Sequence, residues 1–322
     1  MTNYNSRQNK GIEGMTNVHH GLNFKLSIQM AAPHTWPASV IPVLFSGALV
    51  FRKTQTLNWW LWISLILISI LMQSAANIFN DYFDLLRGTD STEDFVEPDD
   101  AVLVYNQIPP KQALFLGIGT MVAALVLSIY PIMEGGFLVL GIGILGGIVL
   151  LAYSAGAIPI SSIPFGEVAS GVTMGTFIPI ACVTALTGKF YPPVVIDSLP
   201  ITLGISLMMM TNNTCDIEKD LRVQRSTLPI LLGRTGARRI YRVLLLTWLF
   251  LLGNYAAFRF PVEASWTWPL LLCCIFLAIL SGKALIKQLQ FDLNPPCRPR
   301  AMKNIAALNG LLGLFYTLWM VL

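Results

Sequence analysis

Residues 58–84 read NWWLWISLILISILMQSAANIFNDYFD. From Trp59 to Phe79 the stretch carries no charge, and about 20 such residues, coiled as a helix, cross the roughly 30 Å hydrocarbon core of a bilayer. The apolar run then passes, with no intervening Gly or Pro, into Asn77, Asn80, Asp81 and Asp84. At about 3.6 residues per turn, positions i, i+4 and i+7 share a face. Asn77, Asp81 and Asp84 therefore project together at the end of a membrane-crossing helix. Fold and chemistry both follow from this unit.

The rest of the chain is built in the same way. Of 322 residues, 54% are hydrophobic and 12% charged, against about 25% charged in a soluble domain. Mean hydropathy is +0.63. Too few charges remain to cover a soluble surface, and a disordered chain, a disulfide scaffold and a nucleic-acid partner are excluded. The five cysteines show no disulfide or metal spacing. The apolar runs are continuous and lack strand alternation, so the expected class is an all-α polytopic membrane protein embedded in the lipid bilayer. Nine transmembrane helices are expected, near 35–50, 58–80, 112–131, 135–153, 167–187, 194–212, 239–258, 266–285 and 303–321. With the N-terminus cytoplasmic, all of the 21 Lys and Arg except Arg52, Lys53, Lys189 and Arg259 fall on the inner side. Residues 1–31 form a polar N-terminal segment whose amphipathic end, 22–31, is expected to lie along the membrane surface. Residues 32–322 form the membrane domain. No leader-peptide pattern precedes Pro33, so the N-terminal segment is expected to stay on the chain.

A second cluster ends the sixth span: Asn212-Asn213-Thr214-Cys215-Asp216-Ile217-Glu218-Lys219-Asp220. Asn212, Asp216 and Asp220 again share a face, repeating the Asn-x-x-x-Asp core on the same expected side. One such cluster is ordinary helix-end polarity. Two of them imply a paired site, because rows of anionic oxygens are unfavourable unless a cation is held. Mg²⁺, with its preference for oxygen ligands and substrate phosphates, is the natural cation. Lys219, Arg222 and Arg225 follow closely and suit phosphate oxygens, although positive residues flank inner helix ends in any case.

These residues resemble the UbiA superfamily of intramembrane prenyltransferases, which carry nine helices and two aspartate-rich cytoplasmic motifs. The likeness covers roughly residues 31–322. Asn80-Asp81-Tyr82-Phe83-Asp84 through Gly88 and Asp90 is most similar to the branch that prenylates 1,4-dihydroxy-2-naphthoate. So are the second motif with Arg225-Ser226-Thr227-Leu228-Pro229 and Leu232-Gly233, and Tyr153-Ser154 with Pro159-Ile160-Ser161 and Gly166-Glu167. Two features depart from the family pattern. Ala32-Pro33 stands where Arg-Pro is common, and Asp90 is followed by Glu93, Asp94, Glu97, Asp99 and Asp100 rather than by basic residues. That acidic run reads as a solvated face.

The resemblance implies transfer of a polyprenyl group from a polyprenyl diphosphate to 1,4-dihydroxy-2-naphthoate, with loss of CO₂ and diphosphate, giving demethylmenaquinone. The implied setting is a bacterial plasma membrane with a cytoplasmic active site. Asp81, Asp84, Asp216 and Asp220, with Asn77 and Asn212, would hold Mg²⁺. Lys219, Arg222, Arg225, Asn80 and Asn213 would line the diphosphate site. Tyr153 would face the allylic cation, its alternative being an interfacial-belt tyrosine. Glu167 would hold the acceptor or the loops. His19, His20 and His34 all precede or begin the first span, so no histidine base is implied. Two other readings compete. One keeps the diphosphate site with a different acceptor, such as 4-hydroxybenzoate or homogentisate. The other is a cation-coupled transporter, disfavoured because the middle thirds of the spans hold no Asp, Glu, Lys or Arg.

Overall fold

The computed structural model describes residues 21–88, 102–258 and 267–322. The first twenty residues, the acidic run from Asp90 to Asp100, and Arg259 lie outside the described residues. Among the described residues all regular structure is helical, as the continuous apolar runs require.

Thirteen α-helices are described. They are α1 (Phe24–Met30), α2 (Pro37–Thr54), α3 (Trp59–Arg87), α4 (Val102–Asn106), α5 (Pro110–Ser154), α6 (Gly166–Val172), α7 (Ile178–Thr187), α8 (Val194–Asp197), α9 (Leu199–Cys215), α10 (Ile217–Arg222), α11 (Leu228–Phe258), α12 (Thr267–Gln290) and α13 (Arg298–Val321). Among the described residues seven helical stretches are long and apolar enough to cross a membrane, or eight when α1 and α2, bent by 58° at their junction, count as one. The expectation of nine differs at α5, which runs through two of the expected spans. Its 45 residues would extend roughly 67 Å if straight, more than twice a bilayer core of about 30 Å. The helix is broken at Gly136 (φ 68°, ψ −154°), a backbone state open only to glycine.

The start and end of α3 follow from its sequence. Asn58 caps the N-terminus, its side chain accepting from the Leu61 amide at 3.1 Å. Gly88 (φ 65°) terminates the helix in the left-handed conformation, one turn after Asp84. The carboxylates thus sit in the last two turns of a membrane-length helix.

The core lies between α2, α9, α11 and α13, where Phe45, Leu49, Ile205, Leu207, Met210, Leu245, Ile305 and Leu308 are buried together. Phe45 stacks on Tyr316 at 5.2 Å. Helix α3 lies along α5, and α12 along α13. The outer faces of α3 and α5 carry exposed Trp60, Phe115 and Phe137, as a lipid-facing surface does.

One seam positions the site. Helix α6, a π-helical turn at Thr173–Phe177 and α7 form one stretch, of which α6 and the π-helical turn cross α9. Glu167, Gly171 and Gly175 recur every four residues on the crossing face. A Cβ on Gly171 would stand 2.9 Å from the Thr202 carbonyl oxygen, and one on Gly175 only 2.4 Å from Thr202 Cα. The two backbones touch here, the small-residue packing that joins helices in lipid. Thr176 and Thr202 close the seam with a 2.8 Å hydroxyl–hydroxyl bond.

Candidate functional site

The two clusters meet. Asp81, Asp84, Asp216 and Asp220 are 4, 6, 7 and 2% exposed, far less than helix-end acids in water would be. Carboxylates removed from water need partners, and for Asp84, Asp216 and Asp220 the partners include two guanidinium groups. Arg225 Nη2 lies 2.5 Å from Asp84 Oδ1, and its Nη1 lies 3.3 Å from Asp220 Oδ1. One side chain therefore joins the first cluster to the second. Arg298 Nε lies 3.1 Å from both carboxylate oxygens of Asp216, and its Nη2 donates to Asn212 Oδ1 at 2.8 Å.

Local backbone chemistry puts Arg225 there. Helix α10 ends in a Schellman motif: the Arg225 amide donates to the Asp220 carbonyl at 3.0 Å and the Gln224 amide to that of Leu221 at 3.2 Å, with Gln224 left-handed at φ 57°. The turn sends Arg222 outward, where it is exposed, and brings Arg225 back over Asp220. Lys219 is half-buried, with its charge acting on Asp220. Arg298 has no such local logic. A cation at a helix N-terminus opposes the helix dipole, and the buried Asp216 carboxylate offsets that cost. Sequence reasoning counted Arg298 only among the inner positive residues.

The asparagines divide their work. Asn80 donates to Asp84 Oδ2 at 3.0 Å and accepts from the Ser154 hydroxyl at 3.0 Å, tying α3 to the end of α5. Asn77 donates to the Ala31 carbonyl and the Thr35 hydroxyl, at 3.0 and 2.8 Å, and accepts from Gln73 at 3.3 Å. Its amide nitrogen thus anchors the segment between α1 and α2. Asp81 Oδ2 accepts from the Leu103 amide at 3.2 Å, fixing the start of α4. Asn213 donates to Glu167 Oε1 at 2.9 Å.

Half-buried Tyr153 lies within electrostatic reach of Glu167, Arg225 and Asp84. The Ser226 amide donates to the Ser162 carbonyl at 2.8 Å, which joins the segment after Arg225 to the segment after Tyr153. Arg234 donates to the Thr214 and Leu293 carbonyls and pairs with Glu218 at 2.5 Å, pinning α10 to α11. Asp90 of the first motif is outside the described residues. Among the described residues no three His, Cys, Asp or Glu side chains converge as a cage; the carboxylates converge on arginines instead.

Burial sets the proton affinity of the second cluster. Desolvation, and then the neighbouring Asp216 charge, push the Asp220 carboxyl up to about 7 against the opposing pull of Arg225 and Lys219. Four buried carboxylates face Arg225 and Arg298, with Lys219 acting on Asp220, and an arrangement of that kind accepts a further cation or gives up a carboxylate charge.

The chain is similar to known proteins to differing degrees. The chain is 31% identical over 234 residues to the 1,4-dihydroxy-2-naphthoate octaprenyltransferase of Bacillus subtilis, covering 72% of this chain and 73% of that one. It is 26% identical over 299 residues to human UbiA prenyltransferase domain-containing protein 1, covering 90% and 81%. Its fold matches the UbiA homolog from Archaeoglobus fulgidus bound to GPP and Mg²⁺ with a TM-score of 0.59 at 14% identity, over 91% and 99% of the two chains. Residues 39–305, which include both aspartate clusters, match the UbiA prenyltransferase family, so this multi-pass membrane protein belongs to that family of enzymes.

Proposed function

We propose that the protein transfers a polyprenyl group from a polyprenyl diphosphate to 1,4-dihydroxy-2-naphthoate, with loss of CO₂ and diphosphate, to give the demethylmenaquinone skeleton. The observation that carries this reading is the Arg225 bridge between Asp84 and Asp220. It draws two acidic helix ends onto one guanidinium group, the kind of group that binds phosphate oxygens. The activity of the Bacillus subtilis relative supports the choice of acceptor. Nine crossings, with the two halves of α5 about Gly136 counted separately, agree with this reading. In it α1 lies along the cytoplasmic surface and the site opens to the cytoplasm.

The donor set suits Mg²⁺: only hard oxygen ligands are offered, and they are buried. Asp81, Asp84, Asp216 and Asp220 would hold the ion, with the amide oxygens of Asn77 and Asn212. When bound, Mg²⁺ neutralises charge on the diphosphate. Arg225 and Arg298 exchange carboxylate partners for phosphate oxygens, to which guanidinium groups donate in bidentate fashion. Lys219 adds a further positive charge, and Arg222 meets the incoming diphosphate at the surface. Asn80 and Asn213 fix the clusters to the ends of α5 and α6.

The allylic C–O bond breaks with its electron pair on the diphosphate. The electron-rich ring attacks the allylic carbon, a C–C bond forms, and the ring carboxylate departs as CO₂. Tyr153, beside Asp84 and Arg225, presents an aromatic face to the cation. The bundle keeps out water that would capture it, and the prenyl tail extends between helices into lipid.

The test offers purified protein a prenyl diphosphate, Mg²⁺ and, separately, 1,4-dihydroxy-2-naphthoate, 4-hydroxybenzoate and homogentisate, with mass spectrometry of the products. The expected result is a prenylated naphthalene 44 mass units lighter than simple addition, the mass of CO₂. Prenylation of one of the other acceptors alone would overturn the assignment.

A further inference from the structure

The end of the bundle away from the aspartates holds a half-open cavity of about 290 Å³, lined by Leu49, Arg52, Lys53, Tyr191 and Asp197. Arg52 and Lys53 occupy the last turn of α2, where cations suit the helix dipole. Asp197 ends α8 and is 4% exposed, a depth at which a carboxylate needs partners. Tyr255 donates to its Oδ1 at 3.1 Å, and Tyr316 donates to its backbone carbonyl at 2.7 Å. Tyr316 in turn packs on Phe45 and Tyr255, so the acidic wall is fixed to the bundle core. The basic wall is fixed by softer contacts. Lys53 Nζ stands over the Tyr191 ring, 3.6 Å from its centre, and Arg52 Nη1 reaches Met320 Sδ at 3.9 Å. Two cations and one carboxylate give the cavity one positive charge in excess.

Level and size narrow the guest. Exposed Trp59 and Trp60 begin α3 just after the turn that follows Lys53, and half-buried Tyr191 lines the cavity itself. Tryptophan and tyrosine gather where hydrocarbon meets the headgroups, so the cavity opens at the depth of lipid phosphates. Its 290 Å³ lies at the lower edge of the roughly 300–1,000 Å³ of small-molecule sites, suited to a headgroup rather than to a ring with a prenyl chain. We infer that this cavity binds the phosphate of an anionic phospholipid headgroup, taken from the leaflet opposite the aspartates. Arg52 and Lys53 donate charge-assisted hydrogen bonds to the non-bridging phosphate oxygens, and the single negative charge of the phosphodiester cancels the excess. A choline headgroup brings a cation beside Lys53 and leaves the excess in place, so zwitterionic lipid is disfavoured. The site is independent of the prenyl-transfer reading.

Native mass spectrometry of the protein in detergent, titrated with phosphatidylglycerol or phosphatidylcholine of equal acyl chains, tests this. The wild type should retain one phosphatidylglycerol about tenfold more tightly than phosphatidylcholine, the contribution of a charge-assisted hydrogen bond. Lys53→Gln should lower phosphatidylglycerol affinity by about tenfold and leave phosphatidylcholine affinity unchanged. Arg52→Gln should lower it at least as far; where that variant does not accumulate, Lys53→Gln, a change to an exposed side chain, carries the test. Lys189→Gln removes an exposed charge at the same end of the bundle that does not line the cavity, and should change the affinity by less than about twofold. Equal retention of the two lipids by the wild type overturns the inference. So do equal losses in Lys53→Gln and Lys189→Gln, the pattern of diffuse surface attraction. Displacement of the lipid by sn-glycerol 3-phosphate at equal concentration overturns the lipid as occupant in favour of a soluble phosphate ester.

Discussion

Asp81 and Asp216 stand at equivalent places in the two Asn-x-x-x-Asp cores but have different partners. Asp81 holds a backbone amide and Asp216 a buried guanidinium group. Changing either to Asn keeps shape and removes charge. Asp81→Asn and Asp216→Asn should each lower prenyl transfer in membranes by at least about a hundredfold, since electrostatic ligands of a leaving group contribute about 2.7–4 kcal/mol apiece. Asp81→Asn should accumulate near normally, whereas Asp216→Asn, which leaves the buried Arg298 charge unpaired, should also lose stability. Near-normal turnover in both variants would rule out a metal–diphosphate site between these helices. Asp220 adds a pH dependence. Its carboxyl is pushed up to about 7 by burial, so the folded protein favours the protonated form and destabilisation from its charge grows as pH rises from about 4 to 7. Metal binding needs the ionised form, so below about pH 7 a proton must leave first. Mg²⁺ affinity, measured by calorimetry with a prenyl diphosphate present, should fall by up to about tenfold per pH unit from 7 to 5 and level off above 8. Asp220→Asn should flatten that slope.

The residues of this site were unequally legible in the sequence. The carboxylates were readable because i, i+4 spacing is a local property. Arg225 and Arg222 looked alike, because the discriminating event is a left-handed turn at Gln224, where the usual glycine signal is missing. Arg298 was invisible as a partner of Asp216. It comes from another helix, 82 positions along the chain, and no pattern in its own neighbourhood reports the contact.

The elements differ in the same respect. Transmembrane runs follow from apolar length, but α3 continues to Arg87, past the expected bound at 80. The break in α5 at Gly136 is legible as well, since Pro131, Glu134 and Gly135 interrupt the apolar run between two of the expected spans. The packing of α6 and the π-helical turn against α9 is silent in the sequence, since small residues in apolar runs are common. Its energetics are nonetheless specific. Val at Gly175 would drive side-chain atoms into Thr202, with Cβ 2.4 Å from Cα and 2.5 Å from the backbone nitrogen. Backbone cannot rotate aside as a side chain can, so the cost should reach or exceed the roughly 1–3 kcal/mol of ordinary overpacking. Gly175→Val should lower the melting temperature in detergent by several degrees and reduce activity, because Glu167 and Asn213 share the seam. Gly119→Ala, where an added Cβ meets nothing within 4 Å, should do neither. Equal melting temperatures for the two variants would mean that the seam is not tightly packed in the membrane.

Across the whole molecule, one charge distribution serves two purposes. Lys219, Arg222, Arg225, Arg234, Arg238 and Arg298 all belong to the end of the bundle that carries the aspartates, whereas Arg52, Lys53 and Lys189 belong to the other. Such a bias orients a polytopic protein with its basic end in the cytoplasm. It also raises the local concentration of an anionic diphosphate at the mouth of the site. If both follow from the same residues, orientation and activity cannot be separated: a chain inserted the other way would present its site away from the cytoplasmic supply of prenyl diphosphate. Impermeant maleimide labelling of single cysteines in intact cells tests this, in a background with the exposed Cys273 replaced by Ser. Leu221→Cys, exposed beside the second cluster, should react only after the membrane is opened. Thr56→Cys, exposed in the turn between α2 and α3 at the far end of the bundle, should react in intact cells. The reverse pattern would place the aspartates outside, and the basic residues would then have to be explained by diphosphate binding alone.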